Sequence, residues 1–434
     1  MRAWALAGLV LLSACGSGNS AATTTTETPA TTAPPLTTTT LAPGAVWTPC
    51  GAIRCGVLAG SKVKVYSRAA TTGDGLGTLV MIPDFEGPTA RELVEQATVM
   101  VGPVARSFDV VSLSPRGGPD SMPLPCNITD DPVATAQSCR SNQALQPENM
   151  GTIAAVADLQ ELVRAMNLGP VRVVGWGRGA TIAATWAMLH PESIEQAVLD
   201  SPDDPEISPV TVAEANRINE DAALANVMAW CTEHISCAFV ENAAKRVKLV
   251  LSRIRDQREG AVAAKATETT FRLAFRNVIR SGDYGAIFQV LAAAENNDYA
   301  PLVELAGTPP WAARIAAECA DVSAADAEAI IAADAAFTPT PTLFRVGYGA
   351  SIMQVCTGMP ESPNPLGQVA AVKSDNPPDV QVFVGTGDGE TSPSMVRGLA
   401  KRMKWKFHSV PANRHLVVGF DRTTTQWVSD YLGS

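Results

Sequence analysis

Two rhythms of apolar and polar positions alternate along the chain. Short runs of strand-forming residues at Leu79 to Ile82, Asp109 to Leu113, Val171 to Val174 and Ala197 to Leu199, bounded by turn-forming residues, predict strands. Between them, apolar residues spaced three and four apart predict helices over Ala90 to Val101, Ile153 to Met166 and Ala180 to Leu189. The last of these sets Ile182, Trp186 and Leu189 on one face. From about Pro205 to Pro360 the strand rhythm stops and alanine-rich helical segments replace it; strands resume at Val380 to Val384 and Lys406 to Val410. Short apolar strands alternating with helices argue for an α/β fold with a mostly parallel sheet covered by helices on both faces. Residues 45–204 and 361–434 then form two parts of one core, and residues 205–360 an inserted helical lid.

The start of the chain belongs to neither rhythm. Arg2 is followed by an apolar run from Ala3 to Leu12 and by Leu12-Ser13-Ala14-Cys15, a pattern too short to span a bilayer as a mature helix and expected to be a signal peptide over residues 1–15. Its ending resembles a bacterial lipobox, which implies cleavage before Cys15 and a diacylglyceryl group on its sulfur; two acyl chains would anchor the protein stably to a membrane. An ordinary secretory peptide with an incidental cysteine is the alternative. Residues 16–44 are nearly all Thr, Ala, Pro, Ser and Gly with Glu27 as the only charge, too few large apolar side chains to offset ordering entropy, and so are expected to form a disordered stalk. The expected location is the outer face of a bacterial cytoplasmic membrane.

Charge and cysteines narrow the partners. The formal net charge is −10 and the basic residues form no run, which argues against nucleic acid. Apart from Cys15 the cysteines fall into sequence neighbours, Cys50 with Cys55, Cys126 with Cys139, Cys231 with Cys237 and Cys319 with Cys356. In an exported chain an even count reads as disulfides; these pairings close the shortest loops, although spacing alone leaves the connectivity open. A zinc site is the competing use of cysteine, but there is no C-x-x-C and the 4 histidines are dispersed, so neither metal nor cofactor is expected.

The candidate chemistry centres on Val171 to Ala180, where a strand runs into Gly175-Trp176-Gly177-Arg178-Gly179 and then into a helix. Strand, sharp turn and helix is the setting of the nucleophile elbow G-x-S-x-G, in which flanking glycines permit the turn that presents a serine hydroxyl. Gly175 and Gly179 are in place, but Gly177 stands where the serine belongs. A dinucleotide fingerprint fits less well: it needs G-x-G-x-x-G early in the fold and an acidic residue about 20 positions on.

Taken in order, further motifs carry a resemblance. These are Asp109-Val110-Val111 with Ser114-Pro115-Arg116-Gly117, Cys126, the elbow, Ala197-Val198-Leu199-Asp200 through Pro205, Ala229-Trp230-Cys231 with Cys237, Cys319-Ala320-Asp321 with Cys356, and Gly385-Thr386-Gly387-Asp388 with Thr391 and Pro393. From Trp47 onward the chain resembles the secreted bacterial α/β-hydrolases of the tripeptidyl and prolyl-type aminopeptidase group with a TAP-like C-terminal region. The resemblance implies an α/β-hydrolase fold and a triad in the order Ser, Asp, His. Asp388 matches the acid and His415 the base, with Gly177 at the nucleophile position.

The departures from the family pattern decide the functional expectation. Removal of the nucleophile costs on the order of 10⁶ in turnover in a serine protease. The family's glycine-rich oxyanion loop is replaced by Pro83-Asp84-Phe85-Glu86-Gly87-Pro88, which sets Asp84 and Glu86 where donors should face developing negative charge. A pseudo-enzyme of the cell envelope is therefore expected, holding a peptide-like or envelope-derived small ligand or docking an envelope protein. Asp84, Glu86 and Asp321 would suit a cationic ligand such as a free amino terminus. The competing expectation is a weak or redirected peptidase- or esterase-like hydrolase, using Asp388 and His415 with water held in the space at Gly177, or with Ser201 or Ser114 as a relocated nucleophile.

Overall fold

The short apolar runs become strands of a single sheet in a computed structural model. It describes residues 46–72, 75–117, 121, 126–127, 129–141, 149–307, 311–338, 343–344, 346–360, 362–367 and 369–434. The expected signal peptide 1–15 with Cys15, and the expected stalk 16–44, lie outside the described residues. The strands are β1 (Val46–Cys50), β2 (Ile53–Val57), β3 (Lys64–Arg68), β4 (Thr78–Ile82), β5 (Asp109–Leu113), β6 (Val171–Trp176), β7 (Ile194–Asp200), β8 (Asp379–Gly385) and β9 (Lys406–Val410). Their order across the sheet is β1-β2-β3-β5-β4-β6-β7-β8-β9. All pairings among β4 to β9 are parallel. Strands β1, β2 and β3 form an antiparallel meander that joins β5 antiparallel.

Alternation along the parallel strands sends successive residues to opposite faces. Val80, Val111, Val173, Leu199 and Val382 pack under Leu159, Trp186 and Leu399 from three helices, Thr152–Ala165, Arg178–Leu189 and Pro393–Met403. Their neighbours Leu79, Val110, Val174, Val198 and Phe383 pack against Leu93, Val94, Val428 and Leu432 on the other face. Every position of β6 is buried. Its one charged member, Arg172, is satisfied there: its guanidinium donates to Gln196 Oε1 at 2.7 Å and Leu76 O at 2.8 Å and lies over the Phe108 ring.

The expected helix Ala90 to Val101 is two helices, Ala90–Glu95 and Ala97–Met100, interrupted at Gln96. The first begins with a capping box between Thr89 and Glu92, which satisfies two otherwise orphaned N–H groups. Between β7 and β8 the described chain is helical, from Pro209–Glu233 to Tyr348–Cys356. These helices bury a core of their own around Phe271, Phe275, Phe288 and Leu291. Disulfides join Cys50 with Cys55, Cys126 with Cys139, Cys231 with Cys237 and Cys319 with Cys356.

Candidate active site

Three strand ends bring the candidate residues together. β6 delivers Gly177, which caps the helix Arg178–Leu189 with φ +49° and ψ −115°. The flanking glycines are required by close approach. A Cβ at Gly175 would stand 2.5 Å from the Gly179 carbonyl oxygen, and one at Gly179 would collide with the Ile82 and Pro83 carbonyls at the end of β4. Asp388 lies in the turn after β8, and His415 in the loop after β9.

Asp388 and His415 form a buried pair. His415 Nδ1 lies 2.9 Å from Asp388 Oδ2, and Asp388 Oδ1 accepts the backbone N–H groups of Glu390 and Thr391 at 2.9 and 3.0 Å. Burial alone would raise the Asp388 carboxyl; the imidazole and those N–H groups outweigh it and hold it below the usual carboxylate value. A further carboxyl, Asp200 at the end of β7, holds the histidine loop by accepting the N–H groups of Val417 and Val418, both at 2.7 Å. Its burial, opposed by those two hydrogen bonds, leaves its pKa pushed up to about 7.

The place of the missing side chain at residue 177 is filled. A Cβ there would stand 2.8 Å from both Cγ and Oδ1 of Asp84 and 3.1 Å from His415 Nε2. Asp84 Oδ1 accepts the backbone N–H of Arg178 at 3.1 Å. In a nucleophile elbow the N–H of the residue after the nucleophile belongs to the oxyanion hole. Here the corresponding N–H, that of Arg178, is taken by a carboxylate of the protein itself, which also crowds the space beside Gly177.

The acidic loop also differs from expectation, because arginines from the inserted helices neutralise it. Arg280 pairs with Asp84 Oδ2 at 2.5 Å and also with Glu390; Arg276 pairs with Glu86 and, at 2.6 Å, with Glu390; Arg314 reaches Glu86 at 3.1 Å and Glu318 at 2.5 Å. For both Asp84 and Glu86, burial raises the pKa but the facing charges win. Arg280, His415 and Arg314 hold Asp84 far below the carboxylate range, and Arg276, Arg314 and Arg280 hold Glu86 well down. Asp321 is paired with Arg178 and accepts from Thr152. None of the three carboxylates expected to face a cation is uncompensated.

His415 sits among these charges. Its Nε2, the nitrogen that would take a proton from a serine, lies 3.6 Å from Glu390 Oε2. Burial lowers its pKa, but Asp388 and Glu390 overcome this and raise it above the ordinary histidine value. Ser201 is buried with φ +58° and its hydroxyl on Asp200 at 3.2 Å; Ser114 is buried beyond β5. Among the described residues neither bonds His415.

The inserted helices and the strand ends form a partly open cavity of about 360 Å³ whose wall includes Arg178, Arg276, Arg314 and Glu390. Among the described residues, Gly177, Asp84, Asp388 and His415 do not line it. Glu390, which lies 3.6 Å from His415 Nε2, and the arginines around it are on the wall instead. The sequence missed this layer of arginines, although one signal was legible: Arg276 and Arg280 lie four apart on a helix and are interleaved with the apolar Phe275, Val278 and Ile279.

A family model described as the alpha/beta hydrolase fold matches residues 87–412. Among solved structures, the chain is similar to a proline iminopeptidase-related protein from Thermus thermophilus, at 13% identity over 91% of this chain and 98% of that one with a TM-score of 0.39. It is likewise similar to an enol-lactonase from Burkholderia xenovorans, at 13% identity over 86% and 98% with a TM-score of 0.40. No curated protein matches it.

Proposed function

Since this chain belongs to the alpha/beta hydrolase fold family, we propose that it is a member that binds a small ligand or an envelope partner and does not hydrolyse. The observation that carries this reading is the Asp84 carboxylate. It occupies the position of the absent side chain at Gly177, accepts the Arg178 N–H and is held by Arg280. The nucleophile's place and the oxyanion donor are both taken up by this one arrangement. The cavity beneath the inserted helices, whose described lining does not include Asp388 or His415, supports binding as the remaining use of the fold. We further propose that it belongs with the TAP-like aminopeptidase group, and that it is exported with a lipid anchor at Cys15; the four disulfides support an oxidising compartment.

The second reading, a weak or redirected hydrolase, is favoured by the hydrogen-bonded Asp388 and His415 pair. A set of variants separates the two. The natural chain, Gly177→Ser, Asp84→Ala and the double variant are assayed on short acyl esters, aminoacyl reporters and a fluorophosphonate probe. The binding reading expects no turnover from the natural chain and none from Gly177→Ser alone, because its Cβ meets Asp84; the double variant should label with the probe. Turnover by the natural chain that disappears in His415→Ala would overturn it.

A further inference from the structure

The cavity wall is largely apolar, with Ile207, Leu224, Phe275, Ile279, Ile330 and Phe344 on it, and about 360 Å³ is in the range of small-ligand sites. The charged groups on it are mostly committed to one another. Arg178 pairs with Asp321, Arg217 with Asp334, Arg276 with Glu390, Arg314 with Glu318, and Asp204 with Arg402. Arg272 is the exception: it makes no ion pair with a described residue, its Nε is buried without a hydrogen-bond partner, and its guanidinium lies over the Phe344 ring at 5.3 Å. Burial pushes its pKa below the ordinary arginine value.

Four carboxylates lie within electrostatic range of Arg272, and none forms an ion pair with it: Glu220 and Asp334 are held by Arg217, Glu268 by Arg255, and Asp130 accepts from Thr267 and Thr269. On the cavity wall the carboxyls without an arginine are Glu214, which is exposed, and Asp203, which accepts from Asn216 at 3.1 Å. Burial pushes Asp203 up, against its hydrogen bond from Asn216 and the charge of Arg178. Of the arginines on the wall, Arg272 is the one whose guanidinium is not already in an ion pair with a described residue, so it is the cation open to an anionic head group.

We propose that the cavity binds an amphiphilic carboxylate, with its head on Arg272 and its apolar tail along Phe275, Ile279 and Ile330. This rests on the reading of the cavity as a binding site separate from Asp388 and His415. It is tested by calorimetric titration of the full-length protein with dodecanoate, dodecanol and dodecyltrimethylammonium. The expected result is saturable binding of dodecanoate, with affinity about tenfold or more weaker in Arg272→Gln and largely kept in Arg272→Lys, as for a hydrogen bond to a charged group. Dodecanoate should also raise the melting temperature of the natural protein more than dodecanol does, a comparison that needs no variant. Equal affinity in the natural protein and Arg272→Gln, no saturable binding, or preference for the ammonium would overturn the proposal. Hydrolysis of a dodecanoyl ester by the natural protein would instead remove the non-hydrolytic reading and leave the head-group assignment standing.

Discussion

At residue 177 a side chain is absent and a neighbour's carboxylate stands in its place. Because Asp84 also neutralises Arg280, Asp84→Ala leaves a buried guanidinium short of one partner. A loss of about 3 kcal/mol is expected from breaking a buried pair, measurable by urea denaturation, with Asp84→Asn losing less because it still accepts the Arg178 N–H. Two other buried groups set a pH dependence of one sign. Asp200 is pushed up to about 7 and His415 is raised above its ordinary value. A group whose folded pKa exceeds its unfolded one contributes stability that is complete below the unfolded value and lost as pH rises through the folded one. For Asp200 the window runs from about 4, the ordinary aspartate value, to about 7; for His415 it opens at about 6.5 and extends upward. The melting temperature should therefore fall with rising pH across these windows. Calorimetry should show a flatter slope below pH 7 in Asp200→Asn and above about pH 6.5 in His415→Gln.

At the scale of elements, periodicity is legible where an element is long or buried on both sides, and fails where chemistry interrupts it. Five of the six parallel strands have apolar runs that need no partner to be recognised, while the edge strand β9 alternates as Lys-Phe-His-Ser-Val. Strands β1, β2 and β3 escape notice: Pro49 and Gly56 break the apolar pattern of a hairpin closed by Cys50 and Cys55, and β3 has only Val65 and Tyr66 between Lys64 and Ser67-Arg68. The predicted helix at Ala90 to Val101 carries a continuous helical pattern, and no residue type in it signals the break at Gln96. Asp388 and His415 are recognisable from motif order and are brought into contact, whereas the arginine layer is not, since Arg276 and Arg280 meet partners 190 and 196 residues away. The disulfides act on elements in proportion to the loop they close. Cys319 with Cys356 spans 37 residues and Cys50 with Cys55 only 5. Loop-closure entropy gives about 4 and about 2 kcal/mol respectively. Paired alanine replacement, followed by guanidinium denaturation, should cost more at the first bridge than at the second.

For the molecule as a whole, the arginine layer fastens the inserted helices to the strand ends. Three arginines of the insertion converge on Asp84, Glu86 and Glu390 of the core. Amides of the helix Glu268–Ser281 should then exchange in the same slow class as those of β6, as expected of one cooperative unit. Native-state hydrogen exchange orders of magnitude faster in that helix would show that the insertion opens by itself. The same arrangement has a historical side. A side chain added at 177 meets Asp84, and removal of Asp84 leaves Arg280 on Glu390 and Glu86 alone, so each single change carries a cost that the paired change partly relieves. The two positions therefore work as a ratchet, easier to alter together than one at a time.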